Sequence, residues 1–379
     1  MRVLMLNITF GRGGMERQIL SFLQELGHRD IGVDLVGVNG TQFLREVKEL
    51  GIKVVGIERT RFREGRTIAM LNRLISKNSY DILHAHGPKA GLLMGLAALG
   101  RGRRNLLVTM HNCHYAQKEQ RLENPLLASY YCCCTRLASP LCRQFIAVSR
   151  SVKTDLVRLG IPEGKIVVVN NGVSLAGTGA ERDSRAVRGE YSIPHESFVI
   201  GTVGRLEPEK GHATLFQAVE RLKHRIPELR VMIIGDGSLM SRLQSEAERL
   251  GIEDRVIFCG YQPDVGDLLS ALDVFVLPSL AEGFGLGLAE AMARAKPTVA
   301  SRVGGICDVV EHGETGFLVP PEEPEVLSNA IARLWKDSAL CHKMGVAGRQ
   351  RVERLFSITG MTDHTVQLYE RLLAEDGET

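Results

Sequence analysis

No stretch of this chain is long and apolar enough to cross a bilayer. Its longest strongly apolar run, Ala90 to Gly100, falls well short of the ~20 residues a spanning helix needs. Absent too is a small-residue cleavage site after Met1-Arg2-Val3-Leu4-Met5-Leu6-Asn7, which reads instead as a first strand, so the expected location is the cytoplasm. Eight cysteines are present without a single Cys-x-x-Cys pair, and Cys132, Cys133 and Cys134 are consecutive. That spacing gives no disulfide framework, and counting His111, Cys113 and His114 with the triplet still matches no standard zinc site. The turn Gly11-Arg12-Gly13-Gly14-Met15-Glu16 falls short of the full Gly-x-Gly-x-x-Gly, and no clear acidic residue closes the second strand, which argues against a dehydrogenase. No Asp-x-Asp follows a strand, and no nucleic-acid-binding module is recognisable.

What is present has the composition of a soluble globular protein: 379 residues, 44% hydrophobic and 24% charged, enough for two or three domains. The net charge of +3 hides an asymmetry. Residues 1–170 hold 25 Lys and Arg against 13 Asp and Glu, whereas the remainder holds 22 against 31. Arg59, Arg61, Arg63 and Arg66 form one basic cluster, and Arg101, Arg103 and Arg104 another, just beyond Leu92-Leu93-Met94-Gly95-Leu96. An anionic membrane surface and a phosphate-bearing or lipid-diphosphate acceptor are the candidate partners for this half; a merely solvated basic face is the alternative.

Short apolar runs alternate with amphipathic ones through the first half: strands near 3–7, 31–39, 54–57, 81–86, 106–111, 145–149 and 166–170, with helical patterns between most of them. A Gly, Ser, Thr and Ala-rich stretch from Gly172 to Asp183 interrupts the pattern, which restarts at Phe198 and ends in helices that include Glu325–Trp335 and Met361–Leu373. Alternation of this kind predicts an α/β protein with parallel sheets covered by helices. The boundaries it suggests are 1–175, 190–357 and a terminal helical segment 358–379.

Two glutamates carry the functional argument. They stand in Glu282-Gly283-Phe284-Gly285-Leu286-Gly287-Leu288-Ala289-Glu290, after the strand-like Val274–Leu277. Glu282 falls on the strand-to-helix loop and Glu290 in the helix, where side chains tilt back toward the N-terminus, so both can face one ligand. The glycines let backbone N–H groups come close to that ligand, and a helix N-terminus favours negative charge. Acceptors for hydroxyls beside a cradle for anions suit a sugar joined to a phosphate. A second motif, Gly204-Arg205-Leu206-Glu207-Pro208-Glu209-Lys210-Gly211, follows another strand. Arg205 and Lys210 there are cations suited to phosphate, and to the charge that builds on a departing diphosphate without a metal.

The glutamate segment resembles the donor site of retaining GT-B glycosyltransferases, in particular glycosyltransferase family four. Ala300-Ser301-Arg302-Val303-Gly304-Gly305-Ile306 and Glu311-His312-Gly313-Glu314-Thr315-Gly316-Phe317-Leu318-Val319 continue the likeness, which covers nearly the whole chain. The resemblance implies two Rossmann-like, doubly wound domains facing across a cleft, with the last helix crossing back to the first domain. It implies that Glu290 binds ribose hydroxyls, that Glu282 contacts donor-sugar hydroxyls, and that the amides of Phe284, Gly285 and Leu286 approach sugar and diphosphate beside Gly283. Gly14 would lie near the diphosphate and transferred sugar, Arg205 and Lys210 on the leaving group, and His111, ending Val108-Thr109-Met110-His111-Asn112, near the donor sugar. Gly235, in Ile233-Ile234-Gly235-Asp236-Gly237-Ser238, and Tyr261 would frame the nucleotide. His86 is a weaker candidate on the acceptor side, and His84 a weaker one still. Cys307 departs from the family's usual proline, and His114 to Pro140 match its pattern poorly, so acceptor binding does not carry over. The activity implied is metal-independent, cofactor-free, retaining transfer from a UDP-sugar or GDP-mannose to a glycan or lipid-linked acceptor, at the inner face of the membrane. The alternatives are a nucleotide-sugar 2-epimerase of the same architecture and a non-catalytic donor-binding subunit.

Overall fold

The computed structural model describes residues 1–9, 13–58, 64–100, 105–112, 125–175 and 183–377, with side chains to 375. Arg59, Arg61, Arg63, Arg101, Arg103, Arg104, Cys113 and His114 lie outside the described residues.

The chain forms two compact units, residues 1–172 with 358–379, and residues 173–357. The sequence placed the corresponding boundaries at 175, 190 and 357. The helix Ser184–Glu190 therefore belongs to the second unit, where it packs on the helix Gly266–Ser270. Arg188 fixes it there, its guanidinium donating to both Asp273 carboxylate oxygens at 3.0 Å and to the Ala271 carbonyl.

The first unit holds a seven-stranded sheet: β1 (Arg2–Asn7), β2 (Gly32–Val38), β3 (Lys53–Ile57), β4 (Ile82–His86), β5 (Asn105–Met110), β6 (Gln144–Ala147) and β7 (Ile166–Val168). Every pair is parallel, in the order β3-β2-β1-β4-β5-β6-β7. Helices on both faces exclude water from both, which is why Val3, Leu4, Met5 and Leu6 are consecutive and fully buried rather than alternating with polar residues. The helix Ile358–Gly377 lies in this unit against the helix Gly14–Gly27, and adds Leu368, Tyr369 and Leu372 to the core of β1, β2 and β4. One element was not foreseen, the helix Pro125–Ala138. Three consecutive cysteines between tyrosines and an arginine give no clear helical periodicity to read.

The second unit holds six parallel strands: β8 (Phe198–Val203), β9 (Leu229–Ile234), β10 (Val256–Gly260), β11 (Val274–Leu277), β12 (Thr298–Ser301) and β13 (Gly316–Val319), in the order β10-β9-β8-β11-β12-β13. The sequence reading missed β13, which spans only four residues and begins with glycine. That glycine is required: a Cβ on Gly316 would lie 2.2 Å from Thr298 Oγ1 on the neighbouring strand. In each sheet the strand order reverses once, between β1 and β4 and between β8 and β11. Loops leaving the carboxyl ends of the strands diverge at such a reversal and leave a crevice for ligands.

Candidate functional site

The second unit's reversal point gathers the residues the sequence singled out. Arg205 and Lys210 stand on the loop after β8, and Glu282 on the loop after β11. Gly285, at φ 90°, caps the helix Leu286–Ala293, whose first backbone donors have no partner one turn back. Lys210 Nζ donates to Glu282 Oε1, and Ser279 Oγ donates to the same oxygen at 3.1 Å. Arg205 is held differently: its guanidinium donates to Glu209 Oε1 at 2.7 Å in an exposed pair. Glu290 lies half-buried one turn into the helix, its carbonyl accepting from Arg294 Nη1 at 3.2 Å.

Backbone contacts knit these loops together. Leu280 N–H donates to the Glu209 carbonyl at 2.8 Å, joining the loops after β8 and β11, and Gly305 N–H donates to the Glu282 carbonyl at 3.0 Å, joining those after β11 and β12. Leu206 N–H donates to the Asp236 carbonyl at 2.9 Å, which brings in the loop after β9. The close approaches admit only glycine. A Cβ on Gly304 would sit 2.0 Å from the Glu282 carbonyl oxygen, and one on Gly235 would sit 1.9 Å from that of Gly204. Phe284 turns its ring into the core, edge-on to Phe356 with centroids 5.4 Å apart. Gly283 and Gly285 on either side of it are buried as well, whereas Glu282, Leu286 and Gly287 are half-buried. Tyr261 follows the edge strand β10, two strands from β8.

Sequence reasoning overlooked the partners of its own residues. Glu209 lay in a motif that was quoted and Ser279 between the strand-like Val274–Leu277 and the glutamate motif, but neither hydrogen bond has a sequence signature. Glu207 is a third case: its carboxylate accepts from Ser238 Oγ at 2.7 Å and from Ser238 N at 3.2 Å, clasping the loop after β9.

In the first unit, Gly14 opens the helix after β1. Glu16 is spent locally, its carboxylate accepting from the Gly13 N–H at 3.0 Å and from the Thr9 hydroxyl. His111 stands one residue past β5, since that strand ends at Met110 rather than at His111 as the sequence suggested. It is half-buried, with Nε2 3.1 Å from His86 Nδ1. His84, behind them, is satisfied on both sides, by Tyr369 Oη at 2.5 Å and by Thr109 Oγ1 at 2.7 Å. Its ring centroid is 4.4 Å from that of His86. Burial lowers all three from the ordinary histidine range, His111 to about 4, His84 to about 3, and His86 well below normal. The cluster is therefore neutral near pH 7. With Gln18 and Met361 it lines a cavity of about 30 Å³.

Among the described residues no group of histidine, cysteine and carboxylate side chains is arranged to hold a metal. Nor is any described helix long and apolar enough to cross a membrane.

Comparison with known proteins agrees with this geometry. Residues 12–176 match the model described as Glycosyltransferase Family 4, and residues 183–351 match that of glycosyl transferases group 1. The chain is 31% identical to the D-inositol 3-phosphate glycosyltransferase of Kribbella flavida, over 72% of this chain and 67% of that protein. It is 28% identical to the UDP-Gal:alpha-D-GlcNAc-diphosphoundecaprenol alpha-1,3-galactosyltransferase of Escherichia coli, over 81% of this chain and 79% of that protein. Anabaena HepE, solved in complex with UDP-glucose, superposes with a TM-score of 0.84 at 24% identity, over 98% of this chain and 99% of that one.

Proposed function

Because this chain belongs to glycosyltransferase family 4, the group 1 glycosyl transferases, and shares their GT-B architecture of two Rossmann-like sheets, we propose that it is a retaining transferase moving a sugar from a nucleoside diphosphate to a hydroxyl of a glycan or lipid-linked acceptor. The observation that carries this reading is the juxtaposition of Lys210, Glu282 and the start of the helix Leu286–Ala293 at one strand-order reversal. A cation, a hydroxyl acceptor and unpaired backbone donors then face one small volume, which is the chemistry of a sugar diphosphate.

In this mechanism Arg205 and Lys210 stabilise charge that grows on the departing diphosphate, a task that elsewhere falls to a metal ion. Arg205 offers a planar fork and Lys210 a point charge. Amides of Gly283, Phe284, Gly285 and Leu286 support the same oxygens. Glu282 accepts from donor-sugar hydroxyls and Glu290 from those of the ribose, while Gly235 and Tyr261 frame the nucleotide. In the first unit, His111 stays neutral near pH 7 and so is fitted to hydrogen-bond a ligand rather than to titrate with it. The acceptor oxygen attacks C1 on the face the diphosphate leaves. The C1–O bond to phosphate breaks as the new glycosidic bond forms, and the leaving phosphate oxygen takes the acceptor's proton. No side chain is then needed as a nucleophile. A polysaccharide or glycolipid pathway in the cytoplasm, with a lipid diphosphate as acceptor, fits the basic first half.

Radiolabelled UDP-sugars and GDP-mannose, each incubated with the protein and membrane extract, test the reading. Label should enter the lipid or polymer fraction in an α linkage that retains the donor's configuration. Free sugar or a 2-epimer released without acceptor would overturn transfer, and nucleotide binding without turnover would leave a donor-binding subunit.

A further inference from the structure

Arg294 closes the helix Leu286–Ala293, four residues after Glu290 and on the same face. Helical side chains lean back toward the N-terminus, and Arg294 Nη1 donates to the Glu290 carbonyl at 3.2 Å. The other arm of the fork reaches a different loop. A Cβ on Gly266 would lie 2.4 Å from Arg294 Nη2 and 3.1 Å from Asp264 Oδ1, so guanidinium and carboxylate flank the same side of Gly266. Asp264 Oδ1 accepts from the Gly266 N–H at 2.8 Å, which sets the turn between Tyr261 and the helix Gly266–Ser270. One guanidinium thus spans from the turn that carries Glu290 to the loop that carries Tyr261.

The frame around it is fixed by a neighbour. Lys296 Nζ donates to the Ser270 and Leu272 carbonyls at 2.7 Å each, which holds the far end of the helix Gly266–Ser270. Arg294 stands at the near end. Its Nε is enclosed and has no hydrogen-bond partner among the described residues, a cost that an arginine kept for solubility would avoid by turning to water. We propose that Arg294 is a positioning residue for the nucleoside half of the donor, bracing residues 261–265 against the turn of Glu290 so that base and ribose meet surfaces set at one spacing. This rests on the function proposed above, in which Tyr261 frames the nucleotide and Glu290 accepts from the ribose. The effect is confined to the nucleoside, because the phosphates are met by Arg205, Lys210 and the start of the helix Leu286–Ala293, on other loops.

Calorimetric titration of the full chain with UDP, GDP and inorganic pyrophosphate tests it, since pyrophosphate carries the charge without base or ribose. Arg294→Ala should weaken the tighter-binding nucleoside diphosphate about tenfold and pyrophosphate less than about twofold. Gly266→Ala should do the same while removing no charge, because its methyl group meets side-chain ends, Arg294 Nη2 first, rather than backbone. In the Arg294→Ala background Gly266→Ala should cost nothing more, since the two act through one contact. Lys296→Met is the structural control: it should lower the thermal midpoint and leave the ratio of nucleoside diphosphate to pyrophosphate affinity unchanged. Four results would overturn this proposal alone: unchanged nucleoside diphosphate affinity in Arg294→Ala or Gly266→Ala, equal losses for nucleoside diphosphate and pyrophosphate, additive losses in the double variant, or a ratio that Lys296→Met shifts as far as Arg294→Ala does. A wild-type chain that binds neither UDP nor GDP more tightly than pyrophosphate would overturn it together with the reading on which it rests.

Discussion

Lys210 and Glu282, 72 residues apart in sequence, form an ion pair across the reversal in the second sheet. Their side chains are 18% and 12% exposed, so the contact is shielded from bulk water on both sides. The pair is thus a structural contact and, in the function proposed above, a ligand surface as well. Its carboxylate is already aimed and hydrogen-bonded before any sugar arrives, and this preorganisation is what electrostatic catalysis requires.

Glu282→Ala and Lys210→Ala should each lower kcat/KM at least about tenfold, the equivalent of one charge-assisted hydrogen bond of about 1.5–3 kcal/mol. Because the two share a contact, the double variant should lose less than the product of the single losses. Steady-state kinetics on the four proteins measures this, and strict additivity would mean that the two side chains act separately.

Gly304 has φ 48° and no room for a Cβ against the Glu282 carbonyl oxygen. Gly304→Ala must therefore push the Glu282 loop away from the loop after β12. The expected outcome is a stability loss of about 1–3 kcal/mol together with weaker nucleoside diphosphate binding. Chemical denaturation and calorimetry read the two effects separately; a stable variant with native affinity would show that this contact does not set the loop.

Much of this arrangement was legible before the structure. Buried parallel strands announce themselves as continuous apolar runs, and strand-then-glycine motifs locate the loops at their carboxyl ends, so the places of Arg205, Lys210 and Glu282 could be read directly. The pairing of those residues could not. Nothing in the sequence says that Arg205 meets Glu209 while Lys210 meets Glu282, because hydrogen-bond partners depend on loop paths fixed by close approaches such as that of Gly305 to Gly283. The helix Pro125–Ala138 was illegible for another reason: its outward face is as apolar as its inward one, so the contrast that reveals a helix is missing.

The histidine cluster makes stability depend on pH. His84, His86 and His111 are neutral in the folded chain until well below the ordinary histidine value, whereas in the unfolded chain they take up protons near 6.5. As pH falls the unfolded state therefore binds protons first. The stability tied to His111 is complete above about 6.5 and is lost progressively toward about 4, where the folded ring also titrates. Denaturant midpoints should fall between pH 7 and pH 5, and His111→Gln should make that slope shallower. A midpoint independent of pH in both proteins would contradict the buried neutral state.

Tyr369 ties the last helix to this cluster. Tyr369→Phe keeps the ring in the core but removes the hydroxyl at His84 Nδ1, leaving a buried nitrogen without its partner. The expected loss is about 1–3 kcal/mol of unfolding free energy, with little change in kcat/KM. An unchanged denaturation midpoint would mean that another group or a water replaces the hydroxyl.

In the proposed function, Glu209 and the diphosphate compete for one cation. Arg205 is engaged by Glu209 in an exposed pair, so a phosphate that recruits Arg205 must displace or share that carboxylate. Exposed pairs contribute about 1 kcal/mol or less, which limits the effect. Glu209→Gln keeps the shape and a weak hydrogen bond but removes the competing charge. Nucleoside diphosphate should then bind about 2–5-fold tighter at low salt, and the gain should shrink as salt screens both interactions. Tighter product binding would also sharpen product inhibition, lowering turnover at high product concentration while leaving initial rates near normal. Calorimetric titration at two salt concentrations decides it: weaker binding in Glu209→Gln would mean that Glu209 orients Arg205 for the phosphate instead of competing with it.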